Sequence, residues 1–126
     1  MPGTRHDYPY QPVPFTDVTI VDGFWAPRIE TNRTVTIPFA FRKNEETGRM
    51  DNFRVAAHLK RGTYQGKRYN DTDVYKTIEG ASYSLMVHPD AALDRYLDGV
   101  IAKIAAAQEP DGYLYTPRTA SPGEVQ

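Results

Sequence analysis

Cysteine is missing from all 126 residues, so a disulfide, a thiolate metal site and a cysteine nucleophile are each excluded from this chain. Histidine is scarce: His6, His58 and His88 stand far apart, and none falls in an H-x-H or H-E-x-x-H pattern, so no local metal motif is present. There is no G-x-G-x-x-G, no P-loop and no G-x-S-x-G, which removes phosphate cradles and serine nucleophile elbows. No apolar run approaches the roughly 20 residues of a bilayer span. Met1 to Tyr10 lacks the apolar stretch of a secretory signal, so neither a membrane segment nor an address is visible and the compartment stays open. Charge of one sign is also absent. Fifteen basic and sixteen acidic residues are interspersed to a net −1, leaving no electrostatic footprint for a nucleic acid or an anionic membrane.

What is there reads as a folded chain: 40% of residues are hydrophobic and 25% charged, far from the balance of a disordered one. At this length one core is the most that can form. The aromatics are mainly tyrosine, nine against five Phe and one Trp. A phenol has a ring face and a polar tip, which suits a carbohydrate cleft and ordinary half-buried packing alike.

Pro2, Gly3, Pro9, Pro12 and Pro14 make residues 1–14 an extended arm, and residues 15–126 the structured unit. From Phe15 the alternating, β-branched Phe-Thr-Asp-Val-Thr-Ile-Val predicts a short strand or extended segment ending at Asp22-Gly23. A helix is expected from about Pro27. It should break near Ile37-Pro38, where the residue before proline is pushed out of the helical region, and resume over Pro38 to Thr47 before Gly48. Asp51 is positioned to cap a helix that begins at Asn52, carries Phe53, Ala56, Ala57 and Leu59, and stops by Gly62. Residues 63–70 read as a loop or small hairpin.

Two helices follow. Val74, Ile78, Ala81 and Leu85 form a narrow stripe between Asp73 and Val87, and Leu93, Leu97, Val100, Ile101 and Ile104 form another behind an Asp90 cap. Only His88-Pro89-Asp90 separates them, so they must run antiparallel. The fold class is therefore all-α, antiparallel helical hairpins behind a short extended or β segment. Apolar faces left over on such hairpins point to self-association or to a layer of something larger.

The richest polar constellation is Asn70-Asp71-Thr72-Asp73-Val74-Tyr75-Lys76, with Glu79 and Tyr83 farther along the same helix. Lys76, Glu79 and Tyr83 share the face opposite the apolar stripe, and Gly80 beside them permits a close neighbour. Asp71 and Asp73 are a pair of carboxylates of the kind used for acid/base work, although residues two apart at a helix start need not face one site. Two readings stay open. In one, Asp71, Asp73, Tyr75, Lys76, Glu79 and Tyr83 line a sugar-binding cleft. In the other they form a solvated face, with Asp71, Thr72 or Asp73 capping first-turn amides and Lys76 pairing with Glu79. Asn32-Arg33-Thr34 and Asn70-Asp71-Thr72 also match the N-glycosylation acceptor, a pattern too short to weigh without a secretory context.

Three stretches in series carry a family resemblance: Phe15-Thr-Asp-Val-Thr-Ile-Val-Asp-Gly-Phe-Trp25, Asn70-Asp-Thr-Asp-Val-Tyr-Lys76 and Ala105-Ala-Ala-Gln-Glu-Pro-Asp-Gly-Tyr-Leu-Tyr-Thr116. Together they resemble the N-terminal part of glycoside hydrolase family 127 and its relative family 146, the β-L-arabinofuranosidases. The second matches that family's Asp-Ser-Asp-Val-Tyr-Lys pattern with Thr72 for Ser, which adds weight to the cleft reading. The resemblance implies an (α/α)6 toroid followed by β-sandwich domains, acting on the non-reducing ends of arabinose-containing plant glycans. It also implies a zinc-bound cysteine nucleophile, a glutamate acid/base, and zinc held by three cysteines and a glutamate. With no cysteine here, no catalytic residue and no metal ligand carries over, and this chain alone is expected to be inactive. A short helical carbohydrate-binding or interaction module, and a fragment of a different (α/α)6 enzyme, are the alternatives.

Overall fold

The computed structural model describes residues 9–121 and 123, and every element formed among them is helical. After a single 3-10 turn at Phe15–Asp17 come α1 (Trp25–Thr31), a π-helical turn (Asn32–Thr36), α2 (Ile37–Glu46), α3 (Arg49–Ala56), α4 (Asp71–Val87), α5 (Ala91–Ala107) and α6 (Thr116–Ala120). Most of the proline-rich arm, His6 included, and the last residues lie outside the described part.

The expected strand does not form. Val18 has extended backbone angles, φ −109° and ψ 121°, yet no neighbouring strand among the described residues takes up the alternation of Val18 to Val21. The segment is extended, not β. α1 instead starts on Asp22, whose Oδ1 accepts from the amides of Phe24 at 2.8 Å, of Trp25 and of Ala26.

The expected break at Ile37-Pro38 is also replaced. Ile37 keeps helical angles, φ −62° and ψ −51°, and its amide reaches back five residues to the Asn32 carbonyl. A proline ring clashes with the carbonyl four residues earlier and offers no donor to it. Widening one turn from α to π moves that carbonyl aside, and the chain continues as helix with Pro38 in the first turn of α2. The threonines help: Thr31 Oγ1 donates to the Pro27 carbonyl at 2.9 Å and Thr34 Oγ1 to that of Glu30 at 2.8 Å.

Asp51 does not cap α3. The chain turns between α2 and α3 on Gly48, whose φ of +79° is open to glycine at little cost, and so α3 begins at Arg49, three residues earlier than expected. Asp51, now inside its first turn, accepts from Arg54 at 2.8 Å and from Lys60 at 2.5 Å, while Arg54 grips Glu45 of α2 through two bonds of 2.7 and 2.8 Å. α3 ends in a Schellman arrangement: the Leu59 amide bonds to the Arg54 carbonyl and the His58 amide to that of Val55, with His58 itself at φ +58°. The 57–70 loop is pinned by Asn52, which is 1% exposed. Its side chain exchanges two 2.9 Å hydrogen bonds with the backbone of Gln65.

Both long helices follow their stripes, α4 starting at Asp71, two residues before the expected Asp73. The core has two lobes. Met50, Phe53, Ala56, Val74, Val100 and Ala107 make one, and Ile37, Phe41, Ala81 and Leu97 the other, with Ile78 packing against both. Early α4 thus meets late α5, and late α4 meets Leu93 and Leu97 at the start of α5, the antiparallel hairpin that the three-residue link requires. Asp90 caps α5, its Oδ1 accepting from Ala92 at 2.9 Å and Leu93 at 3.1 Å. Two residues of the expected apolar faces are displaced: Leu59, past the end of α3, is 64% exposed, and Ile101 is 49% exposed, because Leu97, Val100 and Ile104 already fill the buried arc and Ile101 falls outside it.

Candidate functional site

The structure divides the polar residues of α4 into three groups. Asp71 points inward and is buried. Its Oδ1 accepts from Thr116 Oγ1 at 2.6 Å and its Oδ2 from the Thr116 amide at 2.9 Å. Neither Asp71 nor its neighbours cap α4: Thr72 Oγ1 instead donates to the Tyr69 carbonyl at 2.8 Å, and no side chain accepts from the first-turn amides. Asp71 thereby ties the Asn70–Lys76 stretch to the end of the Gly112–Thr116 stretch, joining two of the three segments that carry the family resemblance. Burial pushes the Asp71 carboxyl above its ordinary value, and the two bonds from Thr116 only partly oppose it. One helical turn on, Tyr75 packs edge-on against Phe53 at 5.7 Å. Its buried hydroxyl has no partner among the described residues, and its pKa is pushed up to about 12 by burial and by Asp71.

Asp73 belongs to an open cleft. Its Oδ2 accepts from Arg49 Nε at 2.7 Å, and Lys76 Nζ lies 4.0 Å from its Oδ1. The cleft, about 430 Å3, runs between α2, α3 and α4 and is lined by Lys43, Asn44, Thr47, Arg49, Asp73, Lys76 and Thr77, with Ala40. Asn44, nearly fully buried, sits at its floor and gives Nδ2 to Thr77 Oγ1 at 3.1 Å. Thr77 Oγ1 in turn donates to the Asp73 carbonyl at 2.7 Å. Lys76 therefore faces Asp73, and no pair with Glu79 forms.

Glu79 and Tyr83 occupy the exposed face. Tyr83 meets the Phe15 ring edge-on at 5.4 Å. Beside it lies an apolar groove of about 660 Å3 under the N-terminal segment, lined among others by Phe15, Val18, Ile20, Ile29, Met86 and Val87. Gly80 has the expected open space, but no neighbour comes within 4 Å of where its Cβ would stand.

Of the six sequence candidates, Asp73 and Lys76 share the cleft, Asp71 and Tyr75 lie inside the protein, and Glu79 and Tyr83 stand apart on another face. Sequence reasoning missed Lys43, Asn44, Arg49, Thr77 and Thr116. Arg49 and Asp73 are 24 residues apart, Thr116 and Asp71 45 apart, and no local pattern joins residues so distant; Thr116 was visible only as the last residue of a recognised stretch. No group of three His, Asp or Glu able to hold a metal occurs among the described residues. The donors implied for zinc by the resemblance, three cysteines above all, are not in this chain, so its residues do not fit that metal.

Comparison with known proteins places the chain in context. The family described as β-L-arabinofuranosidase, GH127 catalytic domain, matches residues 17–125. The non-reducing end β-L-arabinofuranosidase of Bifidobacterium longum subsp. longum is 44% identical over 66 residues, which are 52% of this chain and 10% of that protein. A solved GH127 β-arabinofuranosidase superposes with a TM-score of 0.87 at 57% identity, over 94% of this chain and 19% of its own. A GH127 β-L-arabinofuranosidase from Geobacillus stearothermophilus T6 gives 0.81 at 32% identity, over 85% of this chain and 18% of its own. The chain thus spans between a tenth and a fifth of the relatives it matches.

Proposed function

The chain belongs to the GH127 β-L-arabinofuranosidase catalytic-domain family, and from that membership we propose that its helices are the N-terminal part of an (α/α)6 toroid that cleaves non-reducing-end β-L-arabinofuranosides in plant glycans. The single observation that carries the reading is the family match over residues 17–125, nearly the whole chain.

The role of these residues is construction of a wall, not bond cleavage. Retaining glycosidases need a nucleophile and an acid/base flanking the glycosidic bond. The cysteine nucleophile expected of this family has no counterpart among 126 residues that include no thiol, and zinc, which would hold such a thiolate deprotonated, has no ligand set here. Asp73 and Lys76, with Arg49 and Asn44 behind them, offer a carboxylate, cations and an amide on one open surface, and we assign them to the sugar-facing side. Asp71 and Thr116 act behind that surface: the buried carboxylate fixes the start of α4 against the Gly112–Thr116 turn. Glu79 and Tyr83 contribute to the substrate side only where the sugar reaches round α4.

Two measurements test this. The pure 126-residue chain should neither hydrolyse an aryl β-L-arabinofuranoside nor retain stoichiometric zinc; turnover or one tight zinc per chain would overturn the division of labour. In a complete family enzyme bearing this segment, Asp73→Asn should lower kcat/KM about tenfold or more, roughly 1.4 kcal/mol of transition-state stabilisation, with Lys76→Met and Glu79→Gln as parallel probes. Unchanged kinetics and melting temperature in all three would remove the cleft from the substrate side.

A further inference from the structure

The cleft between α2, α3 and α4 carries more positive charge than its internal pairs consume. Lys43, Arg49 and Lys76 line it against one carboxylate, Asp73. Arg49 gives Nε to Asp73 and Nη1 to Thr47 Oγ1, each at 2.7 Å, which leaves its second terminal amine, Nη2, unpartnered among the described residues. Arg49 is also only 26% exposed in its side chain, so the unpartnered amine is held in place. Lys76, 72% exposed and 4.0 Å from Asp73, is drawn to the cleft by charge without a hydrogen bond of ordinary length. Lys43 holds Glu46 at 2.6 Å, and Glu46 is not among the lining residues.

This lining separates two kinds of ligand. A sugar ring held face-on needs an aromatic surface, and among the described residues no aromatic ring lines the cleft, so a glycan here is met through its polar substituents. Three cations, one of them an arginine with a terminal amine unpaired, suit a compact anion: arginine and lysine both meet carboxylate or phosphate oxygens with charge-assisted hydrogen bonds. We infer that the cleft binds a compact oxyanion, a carboxylate or a phosphate group, at the free terminal amine of Arg49 between Lys43 and Lys76. Asp73 is then the competing internal anion that a ligand partly displaces. The inference stands on the cleft alone; only the source of the group, the carboxylate of a uronic acid within a glycan, rests on the glycosidase reading.

The test is titration of the 15N-labelled full chain at low salt with sodium galacturonate, inorganic phosphate and L-arabinose. At least one anion should shift the amides of residues 43–49 and 73–77 saturably, and L-arabinose should not. Added salt should weaken the binding. Joint Lys43→Gln and Lys76→Gln, both at exposed side chains, should weaken it tenfold or more without changing the helical circular dichroism signal. Asp73→Asn should tighten anion binding several-fold, a readout separate from the effect of the same change on sugar turnover in the complete enzyme. Galacturonate bound more tightly than phosphate points to an acidic glycan, and phosphate alone to a free phosphate or a phosphoester. The inference is overturned if neither anion moves these amides, if the double variant binds as well as the parent, or if L-arabinose binds and Asp73→Asn abolishes it. Loss of the glycosidase reading would appear separately, as unchanged kinetics in the complete enzyme with anion binding intact.

Discussion

Residues 9–36 and residues 37–121 both carry large apolar side chains and both fold into helix, but they hold their helices by different means. In the first region the 3-10 turn, α1 and the π turn bury no residue at all, and Phe24, Trp25 and Val35 are each more than half exposed. Its order is local: the Asp22 cap, threonine back-bonds, an Arg28 guanidinium 3.6 Å over the Phe24 ring, and a Glu30–Arg33 pair at 2.6 Å. In the second region every buried residue of the described chain is found, from Ile37 to Ser121. Short helices without tertiary packing are marginal in water, so the difference locates the stability of this chain in α2–α6 and leaves the first region as an apolar surface in search of cover.

The sharpest way to break the comparison is a core deletion in the second region. Phe53 is 1% exposed and touches both the α3–α5 core and the Tyr75 ring. Phe53→Ala should cost about 3–5 kcal/mol through lost burial and a cavity, a large share of the roughly 5–15 kcal/mol that holds an ordinary domain. Urea unfolding followed by circular dichroism checks it. A loss below about 1 kcal/mol would mean that the two lobes do not form a real core.

Thr116→Val, at a fully buried position, sharpens the comparison by testing polar order inside the same region. It keeps the shape and removes one donor to a buried carboxylate, a loss of about 1.5–3 kcal/mol. The pH dependence has a definite sign. The folded Asp71 carboxyl titrates above its ordinary value, so between about 3.9 and that raised value the folded chain holds the proton more tightly than the unfolded one. This group's contribution to stability therefore falls as pH rises through that window and levels off above it. Removing a donor from the ionised form raises the folded value further. The penalty of Thr116→Val should accordingly be largest near neutrality and shrink in acid; melting curves across this range read it, and a penalty independent of pH would detach Thr116 from the Asp71 charge.

What was legible in the sequence follows the same division. The stripes of α4 and α5, the Asp90 cap and the short link are signals in which period, cap and topology agree, and packing then had one solution. The alternation at Val18–Val21 names residues able to face a sheet, but pairing needs a partner that nothing local supplies. At Ile37-Pro38 the pre-proline restriction is a local preference that the helix overrides, Ile37 keeping helical angles, and the π turn moves aside the carbonyl that the proline ring would meet. Asp51 has the residue type of a cap, whereas Gly48 fixes the helix start through backbone freedom. The site was legible only as a list: Asp73 and Lys76 were named, but Arg49, Asn44 and Thr116 complete their surroundings through contacts that exist only after folding.

A smaller effect, of opposite sign, is expected at the end of α3. His58 is exposed and sits at φ +58°, a left-handed conformation that costs an ordinary side chain roughly 1–2 kcal/mol and glycine little. Glycine also gains freedom in the unfolded chain, which offsets part of the relief. His58→Gly should therefore stabilise the chain by roughly 0.5–1 kcal/mol. A destabilised variant would show that the His58 imidazole holds a contact that outweighs the strain.

The smallest effect on unfolding is expected at Trp25, and it carries the most weight for the comparison. A tryptophan deleted from a core costs about 3–5 kcal/mol. Trp25 is 57% exposed, its ring meeting only Phe24 edge-on at 4.9 Å among the aromatics, and its amide, which the Asp22 cap uses, survives substitution. Trp25→Ala should thus move the unfolding free energy by no more than about 0.5 kcal/mol, the usual range for surface changes. Its effect should appear in association instead. Trp25, Phe24 and Val21 are exposed apolar side chains close in sequence to Ile20, Ala26 and Ile29 of the groove, and clustered apolar surface draws partners, including other copies of the chain. Light scattering over a concentration series, with a hydrophobic dye, should show less association and less dye bound for Trp25→Ala than for the parent. If Trp25→Ala costs more than about 2 kcal/mol of stability, a loss typical of buried positions, the first region is packed in solution and the contrast with α2–α6 fails. If stability is kept and neither association nor dye binding changes, the exposed rings are solvated singly and are no docking surface.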